Sequence, residues 1–170
     1  MINKFNYYFV TLLIFGDLIQ KYRGTWASLF TIFFLFIIIH FLKIPVFIVT
    51  ILFFIILFYS YFAITLSLKN FKESDPQEIV IDEFIGQSIP VILFEIFHGD
   101  RNYSAYDALQ IYLWFFLLFR VFDGLKPFPI DYVDKKFKNS FGILFDDILA
   151  GVYVVLCLIL FMVGKTYLLQ

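Results

Sequence analysis

Hydrophobic and polar positions along this chain fall in long blocks, unlike the short alternations of a soluble fold. Apolar runs occupy Trp26–Leu42, Pro45–Leu68, Phe84–Phe97, Ala105–Phe122 and Ile148–Val163, the last extensible to Leu169. About 20 apolar residues carry an α-helix across a bilayer, and in hydrocarbon every backbone N–H and C=O must be bonded within the helix. The pattern therefore predicts about five membrane helices. Only Lys43 and Ile44 separate the first two runs, and Pro45, a residue suited to a helix start, makes them a tight helical hairpin. The third run is the weakest, being short and interrupted by Gly86 and Pro90. Ahead of the first, Lys4 and the stretch Phe5–Phe15 look like a signal peptide. Gly16, Asp17, Leu18, Ile19, Gln20 and Lys21 offer no small-x-small cleavage site, so a retained, short interfacial helix is expected.

Composition supports the same class. Of 170 residues 62% are hydrophobic and 16% charged, against about 45–50% and about 25% in soluble domains. The expected fold is all-α, a polytopic helical membrane protein built as a single domain over residues 1–170. A net charge of -1 leaves no global basic field to hold a nucleic acid. The one cysteine, Cys157, lies inside an apolar run, which excludes an intrachain disulfide, a cysteine zinc cluster and a cysteine-based phosphatase. It reads as a packing residue.

Charge also predicts orientation, because Lys and Arg accumulate in cytoplasmic loops. With the N-terminus inside, Lys4, Lys21, Arg23, Lys69, Lys72, Arg120, Lys126, Lys135, Lys136 and Lys138 face the cytoplasm, and only Lys43, Arg101 and Lys165 face outward. The same topology brings Asp75, Glu78, Asp82, Glu83, Asp123, Asp131, Asp134, Asp146 and Asp147 to that side. It also sets a parity condition on the weak third run. Asp82 and Glu83 share a face with Asp123 and Asp146 only if the third and fourth runs both cross or neither does, and both are expected to cross.

Three acidic clusters press against apolar sequence: Asp82-Glu83 within IVIDEFIG, Asp123 within FRVFDGLKPFPI, and Asp146-Asp147 within FDDILAG. Carboxylates at membrane helices are costly to desolvate and are commonly paired, metal-bound or functional. Helix-terminating loop charges would account for one acid per helix start, favoured by the helix dipole, but not for adjacent pairs. Arg120, Asp123 and Lys126, each three apart, fall along one side of a helix end that Pro127 stops. Such a set can hold a metal at the carboxylate and phosphate oxygens at the cations; the alternative is a plain ion-pair ladder. Gly86 and Gly151, one turn beyond Asp82 and Asp147, suit close helix approach or space for a lipid glycerol.

In that order, these three segments resemble the signature of the phosphatidylglycerophosphatase A family, and RGTWASL after Phe15-Gly16 resembles its N-terminal motif, with Arg23 in place of a proline, Ala27 of a glycine and Asp17 of a small residue. The resemblance runs from Phe15 to Gly151. It implies an all-helical fold in a bacterial cytoplasmic (inner) membrane. It also implies Mg²⁺-dependent removal of the terminal phosphate of phosphatidylglycerophosphate, giving phosphatidylglycerol.

The chemistry is consistent with that. Phosphoryl transfer needs charge neutralisation and in-line positioning, which one or two Mg²⁺ on carboxylates can supply. Asp82, Glu83, Asp123, Asp146 and Asp147 are the expected metal set, with Asp82, Asp123 and Asp146 as direct ligands. Arg120 and Lys126 are expected on the phosphoryl oxygens, with Thr25 and Ser28 as further hydroxyl donors or, more plainly, helix caps. Direct attack by water is favoured, since no DxDxT-like nucleophile motif occurs. His40, His98, Glu95 and Asp107 fall near the opposite membrane face, Glu95 and Asp107 pairing with Arg101 or meeting interfacial water. Two other readings compete. A CDP-alcohol phosphotransferase would also cluster aspartates, but only Asp123-Gly124 matches the start of its motif. A small cation carrier should place acids near mid-membrane.

Overall fold

The computed structural model describes residues 4–13, 21–69, 71, 73, 76–98 and 103–168, and the regular structure among them is entirely helical. The helices are α1 (Lys4–Val10), α2 (Arg23–Phe36, continued by a π-helical turn over Ile37–Phe41), α3 (Val46–Leu68), α4 (Ile81–His98), α5 (Ala105–Leu125), α6 (Ile130–Lys136) and α7 (Ser140–Leu168). Gly16 and Asp17 of the N-terminal motif, Lys72, Asp75, Arg101 and Leu169 lie outside the described residues.

Four stretches, Arg23–Phe41, Val46–Leu68, Ala105–Leu125 and Ser140–Lys165, are long and apolar enough to cross a membrane. This is a multi-pass membrane protein. The fifth expected span corresponds to α4, and here the structure differs from hydropathy. At 18 residues α4 is about 27 Å long, close to the thickness of a bilayer core. Its sequence carries Asp82, Glu83, Gln87, Ser88 and Glu95, which lipid would not tolerate. Protein surrounds it instead: twelve of its residues are buried, and α7, α2, α3 and α5 all pack against it. The lipid-facing apolar surface is carried by its neighbours, through residues such as Phe47 and Phe58 of α3, Trp114 of α5 and Phe161 of α7.

Helices in lipid gain little from burying apolar surface and associate through close packing, which small residues allow. At the α4–α7 crossing the two backbones touch. A Cβ on Gly151 would lie 2.3 Å from the Gly86 carbonyl oxygen, and one on Gly86 would lie 2.5 Å from the Asp147 carbonyl oxygen. The glycines therefore serve the close approach of helices.

Local signals explain the ends. Lys43 takes a left-handed conformation (φ 53°), and Pro45 then caps α3, closing the predicted hairpin. Asn139 Oδ1 accepts from the N–H groups of Phe141 and Gly142, starting α7 eight residues before the apolar run that announced it. The N-terminal stretch does contain a short helix, but it is docked on α3. Tyr59 donates to Asn6 Oδ1 at 2.6 Å, Phe9 meets Tyr59 edge-on, and Val80 N–H bonds the Val10 carbonyl at 3.0 Å, tying α1 to the approach to α4.

Candidate active site

The first turns of α2 and α4, the end of α5 and the second turn of α7 meet at one end of the bundle, so the parity condition holds in the fold. They enclose a cleft of about 350 Å³ lined by Asp82, Glu83, Asp123, Lys126, Asp146 and Asp147, together with Tyr22, Arg23, Gly24, Pro76, Gln77, Ile79 and Ile143. All five expected acids and Lys126 thus come together. Arg120 stands behind Asp123, its Nη1 2.9 Å from Asp123 Oδ2 in an ion contact that is not aligned as a hydrogen bond.

Successive helical residues point about 100° apart, and this divides each acidic pair. Asp147 turns toward α4, where one carboxylate oxygen from each of Asp82, Glu83 and Asp147 lies within 4.8 Å of the other two. Asp146 turns toward α5 and takes Lys126 Nζ at 2.9 Å. The tightest trio is therefore Asp82, Glu83 and Asp147. Asp123 flanks it, facing the Asp147 side chain and acting electrostatically on Glu83.

Lys126 terminates α5 in the left-handed region (φ 43°), which aims it away from its own helix. It does not continue the Arg120–Asp123 ladder, because its ammonium reaches Asp146 and, at 3.2 Å, Asp134 of α6. Burial opposes its charge, but the Asp146 hydrogen bond and the two nearby carboxylates more than offset this and hold its pKa above the ordinary lysine value. For Asp134 burial works upward, and the charges and hydrogen bonds of Lys126 and Lys138 prevail, holding its carboxyl below the usual range.

Glu83 is held from both sides. Gly24 abuts it so closely that a Cβ there would fall 2.0 Å from Glu83 Oε1, while Oε2 is buried with no hydrogen-bond partner. Asp82, Asp146 and Asp147 are 8%, 7% and 4% exposed, and several buried like charges cannot all ionise without a countercharge. The donor set, all hard oxygens with one carboxylate oxygen unpartnered, fits a hard divalent cation such as Mg²⁺.

Not every expected residue joins the cleft. Ser28 is buried and donates to the Gly24 carbonyl at 2.8 Å within α2; Thr25 does not line the cleft. Neither caps α2, whose cap is Tyr22 in a left-handed conformation without a side-chain bond. Arg23 lines the cleft and pairs with Glu78 at 3.0 Å. Gly24, Tyr22, Pro76 and Gln77 were not read from the sequence as lining residues, although Gly24 lies within the RGTWASL stretch singled out there.

At the far end the polar residues form their own cluster. Glu95 is buried, and its Oε1 accepts from Tyr103 and Tyr112 at 2.6 Å each, with His40 Nε2 at 3.3 Å. The π-helical turn carries His40 into this contact. Asp107 closes a capping box with Ser104 at the start of α5, and His98 stacks on Phe94. At Glu95 internal partners thus replace the expected interfacial water, whereas Asp107 is exposed and keeps access to it alongside its capping bond.

A family model described as Phosphatidylglycerophosphatase A matches residues 8–162. A Haemophilus influenzae protein named Phosphatidylglycerophosphatase A is 44% identical over 84 residues, covering 48% of this chain and 44% of that protein. An Escherichia coli protein of the same name is 34% identical over 84 residues, covering 49% and 43%. A Bacteroides thetaiotaomicron protein provisionally named a phosphatidylinositol-3-phosphatase is 39% identical over 79 residues, covering 46% and 44%. The matched stretch spans under half the length of each relative. No solved structure matches.

Proposed function

We propose, for a chain that belongs to the phosphatidylglycerophosphatase A family, that it hydrolyses the terminal phosphate of phosphatidylglycerophosphate to give phosphatidylglycerol and phosphate. The observation that carries this reading is the clustering of Asp82, Glu83 and Asp147 beside Lys126 in one cleft at a membrane-helix end. A phosphomonoester dianion needs cationic partners, and a lipid substrate needs them at the membrane boundary.

In this mechanism Asp82, Glu83 and Asp147, with Asp123 beside them, would hold Mg²⁺. When bound, the cation supplies charge neutralisation of the phosphoryl oxygens and a more acidic water. The chain's own residues do the rest. Lys126, fixed by Asp146 and Asp134, presents an ammonium to phosphoryl oxygens, which gain charge on the way to a loose transition state. Arg23 lines the other wall of the cleft and binds the headgroup there. Arg120, 2.9 Å from Asp123, orients that carboxylate. Water attacks phosphorus directly. The charge asymmetry of the loops orients the cleft toward the cytoplasm of a bacterial inner membrane.

The test is phosphate release from phosphatidylglycerophosphate by the purified chain in detergent micelles, with phosphatidylinositol 3-phosphate as the competing substrate. Turnover should require Mg²⁺, stop in chelator and return on adding the ion back. Asp123→Asn and Asp147→Asn should fall close to background while retaining a native melting transition. Release that persists in excess chelator, or a folded Asp147→Asn protein of normal activity, sinks the metal mechanism; preference for the inositol lipid reassigns the substrate.

A further inference from the structure

Below the acidic trio the helix interior holds a polar side chain that the reaction as described does not use. Gln87 of α4 is fully buried, and neither its Oε1 nor its Nε2 has a hydrogen-bond partner. A buried amide left unsatisfied is destabilising, so a leucine of similar size would serve the fold better. The position therefore keeps an amide against the interest of packing, as groups at functional sites often do.

Its location says what the amide acts on. Gln87 follows Glu83 by four residues, which puts the two side chains on one face of α4, a turn apart. Glu83 has one oxygen against Gly24 at the cleft wall and the other, Oε2, buried and unpartnered. A stranded carboxylate oxygen and a stranded amide donor thus occupy consecutive turns of one buried face. Arg120, half-buried behind the cleft with its Nη1 buried and unaligned, acts electrostatically on the same carboxylate. Oε1 occupies the space that the missing Gly24 side chain leaves on the cleft side, so the inner oxygen is where a second restraint can act.

We propose that Gln87 is a positioning residue of the metal site: its amide donates to Glu83 Oε2 through one buried water, and so fixes Glu83 Oε1 toward a cation bound with Asp82 and Asp147. This rests on the metal reading of the cleft. Groups that hydrogen-bond metal ligands commonly alter metal affinity by about 10–100-fold when removed. A single neutral amide acting on one of several carboxylates belongs at the lower end of that range.

The experiment is Mg²⁺ titration by calorimetry on the full chain in detergent, paired with thermal melting in chelator. Gln87→Leu should weaken Mg²⁺ binding about tenfold while the metal-free protein melts at the same temperature or higher, a pairing that a merely structural role does not produce. Gln87→Met serves as the second apolar variant should the leucine fail to insert. The decisive arm is a double-mutant cycle. In a Glu83→Gln background Gln87→Leu should change Mg²⁺ affinity no further, because the residue acts through Glu83. Equal Mg²⁺ affinity in the parent and both apolar variants, or an additive effect in the cycle, overturns the assignment. Absence of Mg²⁺ binding by the parent protein itself overturns the metal reading along with it, and is told apart by that control.

Discussion

Adding one methyl group at Gly151 tests whether backbone contact between α4 and α7 sets the geometry of the cleft. In Gly151→Ala the new Cβ falls 2.3 Å from the Gly86 carbonyl oxygen and 3.3 Å from Ile89 Cβ, where ordinary contact begins near 3.4 Å. The nearest obstacle is the Gly86 backbone carbonyl, and Ile89 Cβ is fixed directly to backbone, so neither can swing away and the helices must part by about 1 Å. Overpacking of this kind costs about 1–3 kcal/mol. The functional loss should be larger, because Gly151 lies one turn beyond Asp147 and the displacement separates Asp147 from Asp82 and Glu83. A misplacement of about 1 Å can reduce turnover about 100-fold. Gly164→Ala is the matched control on the same helix, since a Cβ there meets nothing within 4 Å. That change should be neutral or stabilising by up to about 1 kcal/mol from helix propensity. Scanning fluorimetry in detergent and phosphate release at saturating Mg²⁺ give the two readouts. If Gly151→Ala matches Gly164→Ala in both melting temperature and turnover, the argument that the crossing sets the site is wrong.

Two further outcomes follow from other parts of the molecule. Glu95→Leu strands the buried Tyr112 hydroxyl and that of Tyr103, at about 1–3 kcal/mol for each unsatisfied group, whereas Glu95→Gln keeps an acceptor and should lose much less; both should retain turnover below their melting temperatures, and a leucine variant more stable than the glutamine one contradicts the hub role of Glu95. A cysteine at exposed Lys136 on α6, with Cys157 replaced by serine, should resist impermeant maleimide in intact cells and react after permeabilisation, and labelling from outside would reverse the proposed orientation.

The spans were legible because a bilayer imposes one rule on every residue that faces it. Trp26–Leu42, Pro45–Leu68 and Ala105–Phe122 each fall within or against a helix found in the structure. The same rule misjudges what lipid never touches. α7 starts at Ser140 because Asn139 caps it, but hydropathy takes Asp146 and Asp147 for loop charges and delays the helix by two turns. Those acids lie inside the helix, and only that placement lets one face Lys126 and the other face α4. Residue types at the site could be read from their cost in a membrane, so the five acids and Lys126 were identified. Their division into a trio and an ion pair could not, since it depends on the rotation of each helix and on the left-handed turn at Lys126. Gln87 escaped notice because a single amide in an apolar run carries no charge to mark it.

Enclosure of α4 has a bearing on how this protein is made. A segment carrying Asp82, Glu83, Gln87 and Glu95 partitions poorly into lipid alone, where each of these side chains would lack a partner. It becomes soluble in the membrane only among partners, and two of the four that surround it, α5 and α7, are synthesised after it. Integration of α4 therefore waits on the C-terminal half of the chain. A truncation that removes α7 deprives the cell of more than one wall of the cleft: it leaves the helix bearing Asp82 and Glu83 without a stable place in the bilayer, and quality control should meet the fragment before any substrate does.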